Sequence, residues 1–90
     1  PLNPEQHVQL GERLLTDNRA EDSLREFRVL LALKDHDQAQ ALFGAARALH
    51  ALGDRAASRR HVLDALVAAP HYKPAQDFLL KLVEERTKNE

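Results

Sequence analysis

Apolar and small residues recur along this 90-residue chain at three- and four-residue intervals, in five segments parted by short polar breaks. In the first segment Leu10, Gly11, Leu14 and Leu15 form one stripe. Asn3 stands at the cap position, Pro4 suits the first turn, and Gln6 completes a capping-box pattern. The helix so predicted stops near Asn18, a residue that tolerates left-handed backbone. A second helix is predicted from about Ala20 to Lys34, with Leu24, Phe27, Leu30 and Leu31 inward and Glu21 paired with Arg25 outside. Asp37 caps a third, whose stripe is Leu42, Ala45, Ala46 and Leu49. Gly53 ends it, and Asp54 begins a fourth, which carries Val62, Ala65, Leu66 and Ala69 until Pro70 stops it. A fifth starts near Pro74, uses Phe78, Leu79, Leu82 and Val83, and frays over Thr87, Lys88, Asn89 and Glu90. Either Phe78 or Leu79 takes its main buried position.

Glycine is scarce, alternating β-branched runs are absent, and good helix formers dominate, so the fold class is all-α with about five helices. Short connections force successive helices antiparallel, as hairpins. Gly11, Ala45 and Ala46 let a partner helix come close, since little side chain intervenes.

The chain also matches itself at a shift of 35: Asn18 falls on Gly53, Ser23 on Ser58, Phe27 on Val62, Leu30 on Ala65, Leu31 on Leu66 and His36 on His71. A helix–turn–helix unit of about 34 residues is the tetratricopeptide period. The sequence resembles that family. Leu10-Gly11 followed by Leu14 matches its Leu-Gly-x2-Tyr step with leucine in place of tyrosine, and Ser23 with Phe27 matches its Ala-x3-Phe step with serine for alanine. In the second copy Ala45-Ala46 with Leu49, and Ser58 with Val62, are conservative versions, and Pro70 stands at the signature proline. The chain departs from the pattern at His7 and Leu42, where tryptophan is usual, and at Asp35, where proline is. The expected organisation is one domain: repeat 1 over about 4–37, repeat 2 over about 38–72, and a capping helix over about 73–87.

The resemblance implies a concave surface lined by the first helix of each pair. Its residues here would be Glu5, Val8, Glu12, Leu15 and Thr16, then Gln40, Phe43, Arg47, His50 and Ala51. Val8, Leu15 and Phe43 would offer apolar contact; Glu12, Arg47 and His50 would offer hydrogen bonds. Such a mixed surface suits an extended peptide or a helix. Phe43 lies outside the stripe of its helix, and we expect it to pack as core between the first and third helices. One branch of the family grips acidic tails with a clamp of lysine, asparagine and arginine. Val8 and Glu12 stand where that clamp would begin, so a partner with basic or apolar groups fits better.

Composition narrows the rest. With 43% hydrophobic and 30% charged residues the chain is globular. A net charge of −1 and 4% aromatic residues argue against a nucleic-acid platform. Cysteine is absent, which excludes thiolate chemistry and disulfides. Of His7, His36, His50, His61 and His71, no two are spaced i, i+4, so no metal site and no cofactor is expected. His36 and His71 sit near helix C-termini, where a protonated imidazole meets the dipole favourably. Ser23 and Ser58 are read as small packing residues, and no catalytic residue is assigned: the chain is expected not to be an enzyme. Arg55, Arg59, Arg60 and His61 are read as a solvated outer face, with Asp64 a local partner for Arg60. No run of residues is apolar and long enough to enter a membrane, and the compartment stays open. The start at Pro1 and the polar tail read as a piece of a longer protein, and the Ala- and Arg-rich helices point to a GC-rich, bacterial genome. The function expected is a protein-interaction module or scaffold for a protein or peptide ligand. The alternative is self-assembly, with a homodimer through the C-terminal helix, and a histidine-based metal site comes after both.

Overall fold

The computed structural model describes residues 2–33 and 37–88. Lys34, Asp35 and His36, with the readings placed on them, lie outside that range, as do Asn89 and Glu90. Five helices follow one another: α1 (Pro4–Thr16), α2 (Ala20–Ala32), α3 (Gln38–Ala51), α4 (Arg55–Ala68) and α5 (Lys73–Lys88). The described residues contain no strand, so the fold is all-α, built of helix hairpins.

Helix starts follow local chemistry. Asn3 Oδ1 accepts from the Gln6 N–H at 2.9 Å, and Gln6 Oε1 accepts from the Asn3 N–H at 3.0 Å, which closes the capping box. Asp37 and Asp54 accept in the same way from Gln40 and Ala57. α2 has no capping side chain; Arg19 takes that position and donates to Asp22 at 2.6 Å. Asp22 also draws Arg25 to 3.4 Å, so the expected Glu21–Arg25 pair does not form. Nor does Arg60 pair with Asp64. Both alternatives are exposed, where a pair contributes little and small differences in reach decide the partner.

α1 and α3 end identically. Asn18 (φ 64) and Gly53 (φ 88) take the left-handed step. Behind each, the next N–H reaches back into the helix, Arg19 to Leu14 and Asp54 to Leu49. α4 stops at Ala68 because the residue before Pro70 is pushed out of helical backbone.

Each helix packs on its neighbours in the chain, and α1 also meets α3. The core falls into two clusters. One holds Val8, Leu24, Phe27, Leu30, Ala41, Ala45, Ala48, Leu49 and Ala57; the other holds Ala46, Val62, Ala65, Ala75 and Leu82. α3 belongs to both. It is buried at Ala39, Ala41, Gly44, Ala45, Ala46, Ala48 and Leu49, well beyond the single stripe the sequence predicts. A helix enclosed on most sides has no polar face to make a one-sided pattern. In α5 the buried positions are Ala75 and Leu82, while Phe78 and Leu79 are both half-buried. Val83, expected inward, is 51% exposed, because α4 covers α5 on one side only.

The repeat is visible in the packing. Ser23 Oγ donates to the Gly11 carbonyl at 2.6 Å, and Ser58 Oγ to the Ala46 carbonyl at 2.7 Å. Both hydroxyls are fully buried and fully used. Each marks a close crossing of the two helices in a hairpin.

Phe27 holds the first layer together. It is 1% exposed and its ring lies between two glycines on different helices. A Cβ at Gly11 would stand 2.8 Å from Cε2 and Cζ of the ring. A Cβ at Gly44 would overlap Cε1 and Cζ outright. In the second layer the equivalent residue is the smaller Val62, and the helices beside it carry Ala46 and Leu79 instead of glycine. Volume is conserved across the layers by trading side chain between facing helices. Gly44→Ala should therefore destabilise the domain by about 1–3 kcal/mol from overpacking, although alanine favours an isolated helix. The loss should shrink in a Phe27→Leu background, as a double-mutant cycle in urea followed by far-UV circular dichroism would show. Equal losses in both backgrounds would remove Phe27 as the cause.

Candidate functional site

The residues expected to line the concave surface divide by burial. On α1, Glu5 and Glu12 are exposed, Val8 is buried in the first core cluster, and Leu15 is half-buried against it. Val8 thus supports the surface from beneath and offers almost nothing to a ligand. On α3, Gln40, Phe43, Arg47 and His50 are all half-buried.

Around these four the structure brings in residues from beyond α4. Phe43 makes edge-to-face contacts with Tyr72 and with Phe78, each at 5.8 Å between ring centroids. The Arg47 guanidinium sits 5.6 Å from the centre of the Phe43 ring. His50 meets the Phe78 ring at 5.5 Å, and its Nε2 lies 2.8 Å from Glu85 Oε1. The result is a continuous floor of Tyr72, Phe43, Phe78 and His50, with Arg47 over one ring and Glu85 fixing the imidazole. Phe43 packs against the second core cluster, between α3 and α5 rather than between α1 and α3.

Sequence reasoning assigned no groove role to Tyr72, Phe78 or Glu85. The signal was the repeat itself. Val8, Phe43 and Phe78 are related by steps of 35 residues, and Glu85 stands 35 residues after His50. Equivalent positions on successive first helices stack side by side, so extending the period into α5 would have found both Phe78 and Glu85. Tyr72 has no such marker; only the turn before α5 brings it there.

Electrostatics distinguish the two ends of the floor. At one end burial raises the Tyr72 pKa, the negative charges of Asp37 and Glu12 raise it further, and Arg47 partly offsets them. The phenol is a neutral hydrogen-bond donor in an acidic neighbourhood. At the other end the hydrogen bond to His50 lowers the Glu85 pKa, with Arg55 and Lys81 assisting. A lowered carboxylate pKa stabilises the fold above its unfolded value of 4.5, and that contribution is lost as pH falls through the folded value. Acid therefore loosens the tie between α3 and α5.

Two further histidines bond within the fold. His7 Nδ1 lies 2.6 Å from Glu26 Oε2 and bridges α1 to α2. His61 bonds the Ala57 carbonyl one turn back, and His71 is exposed in the turn after α4. Among the described residues no three His, Asp or Glu side chains converge as a metal site requires, and no helix is long and apolar enough to cross a membrane.

Tyr72 is the sole tyrosine, so its ionisation can be followed directly by ultraviolet absorbance. It should titrate above 10.0, move down in Glu12→Gln, and move up in Arg47→Gln. Insensitivity to both substitutions would mean that neither side chain shares a surface with the phenol. No family model matches the chain, and no curated protein or solved structure matches it.

Proposed function

We propose that this chain is a helix-hairpin repeat module of the tetratricopeptide kind, and that it binds a partner's peptide or helix along the floor made by α1, α3 and α5. The observation that carries this reading is the row Tyr72, Phe43, Phe78 and His50, half-buried and flanked by Glu12, Asp37 and Arg47. Buried aromatic residues beside satisfied polar groups are what an anchoring side chain meets at a protein interface. The acidic surround of Tyr72, with Glu5 and Glu12 exposed on α1, suits a ligand with basic and apolar side chains. The thirty-five-residue recurrence of the buried serine bonds and of the helix ends supports the repeat assignment. The module acts by holding its partner, without chemistry of its own.

A peptide library selected on the immobilised domain tests this. Selected sequences should be rich in lysine, arginine and large apolar residues. They should bind the exposed-surface variant Glu12→Lys at least about tenfold more weakly, a loss near 1.4 kcal/mol. Acidic selected sequences, or binding indifferent to Glu12→Lys, would remove the groove as the site.

A second reading is favoured by one observation. Leu80 and Val83 on α5, and Val67 on α4, are 61%, 51% and 81% exposed. Exposed apolar residues on the last helix suit a homodimer through that end. Sedimentation across a concentration series separates the two: a monomer of 10.2 kDa at all concentrations excludes the dimer, and dissociation on dilution establishes it.

A further inference from the structure

A cleft of about 290 Å³ lies between the first turns of α4 and the C-terminal half of α5. Arg55, Ala56, Arg59, Leu82 and Arg86 line it. The repeat explains why it is there. Arg59 stands 35 residues after Leu24, and Leu24 is buried in the first core cluster. Where α2 closes on α3 with a leucine, α4 presents an arginine to α5. A guanidinium does not enter an apolar seam unpaired, so the two helices stay apart at this end. The floor left open is apolar, formed by Leu82 and Ala56.

Its rim is strongly basic for a chain of net charge −1. Three guanidinium groups share the cleft. The nearby carboxylate, Glu85, is 3.9 Å from Arg55 and is already hydrogen-bonded by His50. Arg59 has no ion pair or hydrogen bond among the described residues. The first turn of α4 adds its own positive end at the same place, and the Asp54 cap accepts from Ala57. Guanidinium forks match carboxylates in shape as well as charge.

We propose that this cleft docks an acidic amphipathic segment of a partner protein, with one aliphatic side chain seated on Leu82 and Ala56 and flanking carboxylates on Arg59 and Arg55. The volume, about 290 Å³ and close to the roughly 300 Å³ lower bound of ligand pockets, has room for an aliphatic side chain and the atoms beside it. A nucleic acid fits less well, because no aromatic residue lines the cleft to stack a base. The cleft and the floor then select opposite charges, basic peptide on the floor and acidic peptide in the cleft, and Glu85 stands between them, bonded to His50 and 3.9 Å from Arg55.

The test is a titration of the isotopically labelled domain with a short peptide carrying one leucine flanked by glutamates, followed by backbone amide shifts. Saturable shifts are expected at Arg55, Ala56, Arg59, Leu82 and Arg86. Affinity should fall about tenfold in Arg59→Glu and when the peptide leucine becomes serine, a change of near 1.4 kcal/mol each. Arg59→Gln should give an intermediate loss, and Arg28→Gln on the exposed side of α2 should leave binding unchanged. Shifts spread evenly over Arg13, Arg25 and Arg28 would overturn the proposal, since they report charge attraction without a site. So would full affinity in Arg59→Glu, or an oligouridylate that shifts the cleft amides at lower concentration than the peptide does.

Discussion

The Phe27 ring wedged between Gly11 and Gly44 sets the distance at which α1, α2 and α3 can lie. A side chain on either glycine would meet the ring before the helices reached their present separation. Burying an aromatic of this size is among the largest single contributions available to a small domain. Here it requires that two other helices give up their own side chains. The Ser23 hydroxyl then reaches the Gly11 carbonyl only because the helices are this close. The second layer meets the same demand with Val62, Ala46 and Leu79, and with Ser58 repeating the hydroxyl contact.

The spacing that Phe27 fixes also shapes the surface. With α1, α3 and α5 held as successive first helices, side chains at equivalent positions fall in rows. One row runs Val8, Phe43 and Phe78, from buried aliphatic to half-buried aromatic. Another places His50 against Glu85. Core and floor grade into each other along these rows, so Phe43 both packs the second cluster and faces outward. Loss of register between α3 and α5 would separate the aromatic residues and free His50 at once. Below the lowered pKa of Glu85 acid removes one tie of that register while leaving the apolar contacts in place.

Much of this was legible in the sequence, and the exceptions share a cause. Caps at Asn3, Asp37 and Asp54, the left-handed ends at Asn18 and Gly53, and the stop before Pro70 depend on a few neighbouring residues, and these give each helix its limits. The outward-facing amphipathic helices also show their buried sides: Leu24, Phe27 and Leu30 of α2 all lie inward. α3 does not, because a helix enclosed by others needs small residues all round, and Ala41, Gly44 and Ala48, though at helical spacing, are too small to stand out as an apolar stripe. Gly44 looks like a helix weakness in the sequence and is the seat of an aromatic ring in the fold. At the candidate site, Phe43, Arg47 and His50 were named from the family resemblance, while Tyr72 was not, since a turn places it. The choice of Asp22 over Glu21 by Arg25, and the exposure of Val83, depend on side-chain reach and on what covers a helix. Neither is a property of spacing.

The most direct check on the account is the nuclear Overhauser spectrum of the Phe27 ring. If the ring separates the two helices as described, its protons give cross-peaks to the α-protons of both Gly11 and Gly44, two residues far apart in the chain. Cross-peaks to neither glycine, or to Gly11 alone, would contradict it, because α3 would then not be seated on the ring and the rows that form the floor would lose their common origin.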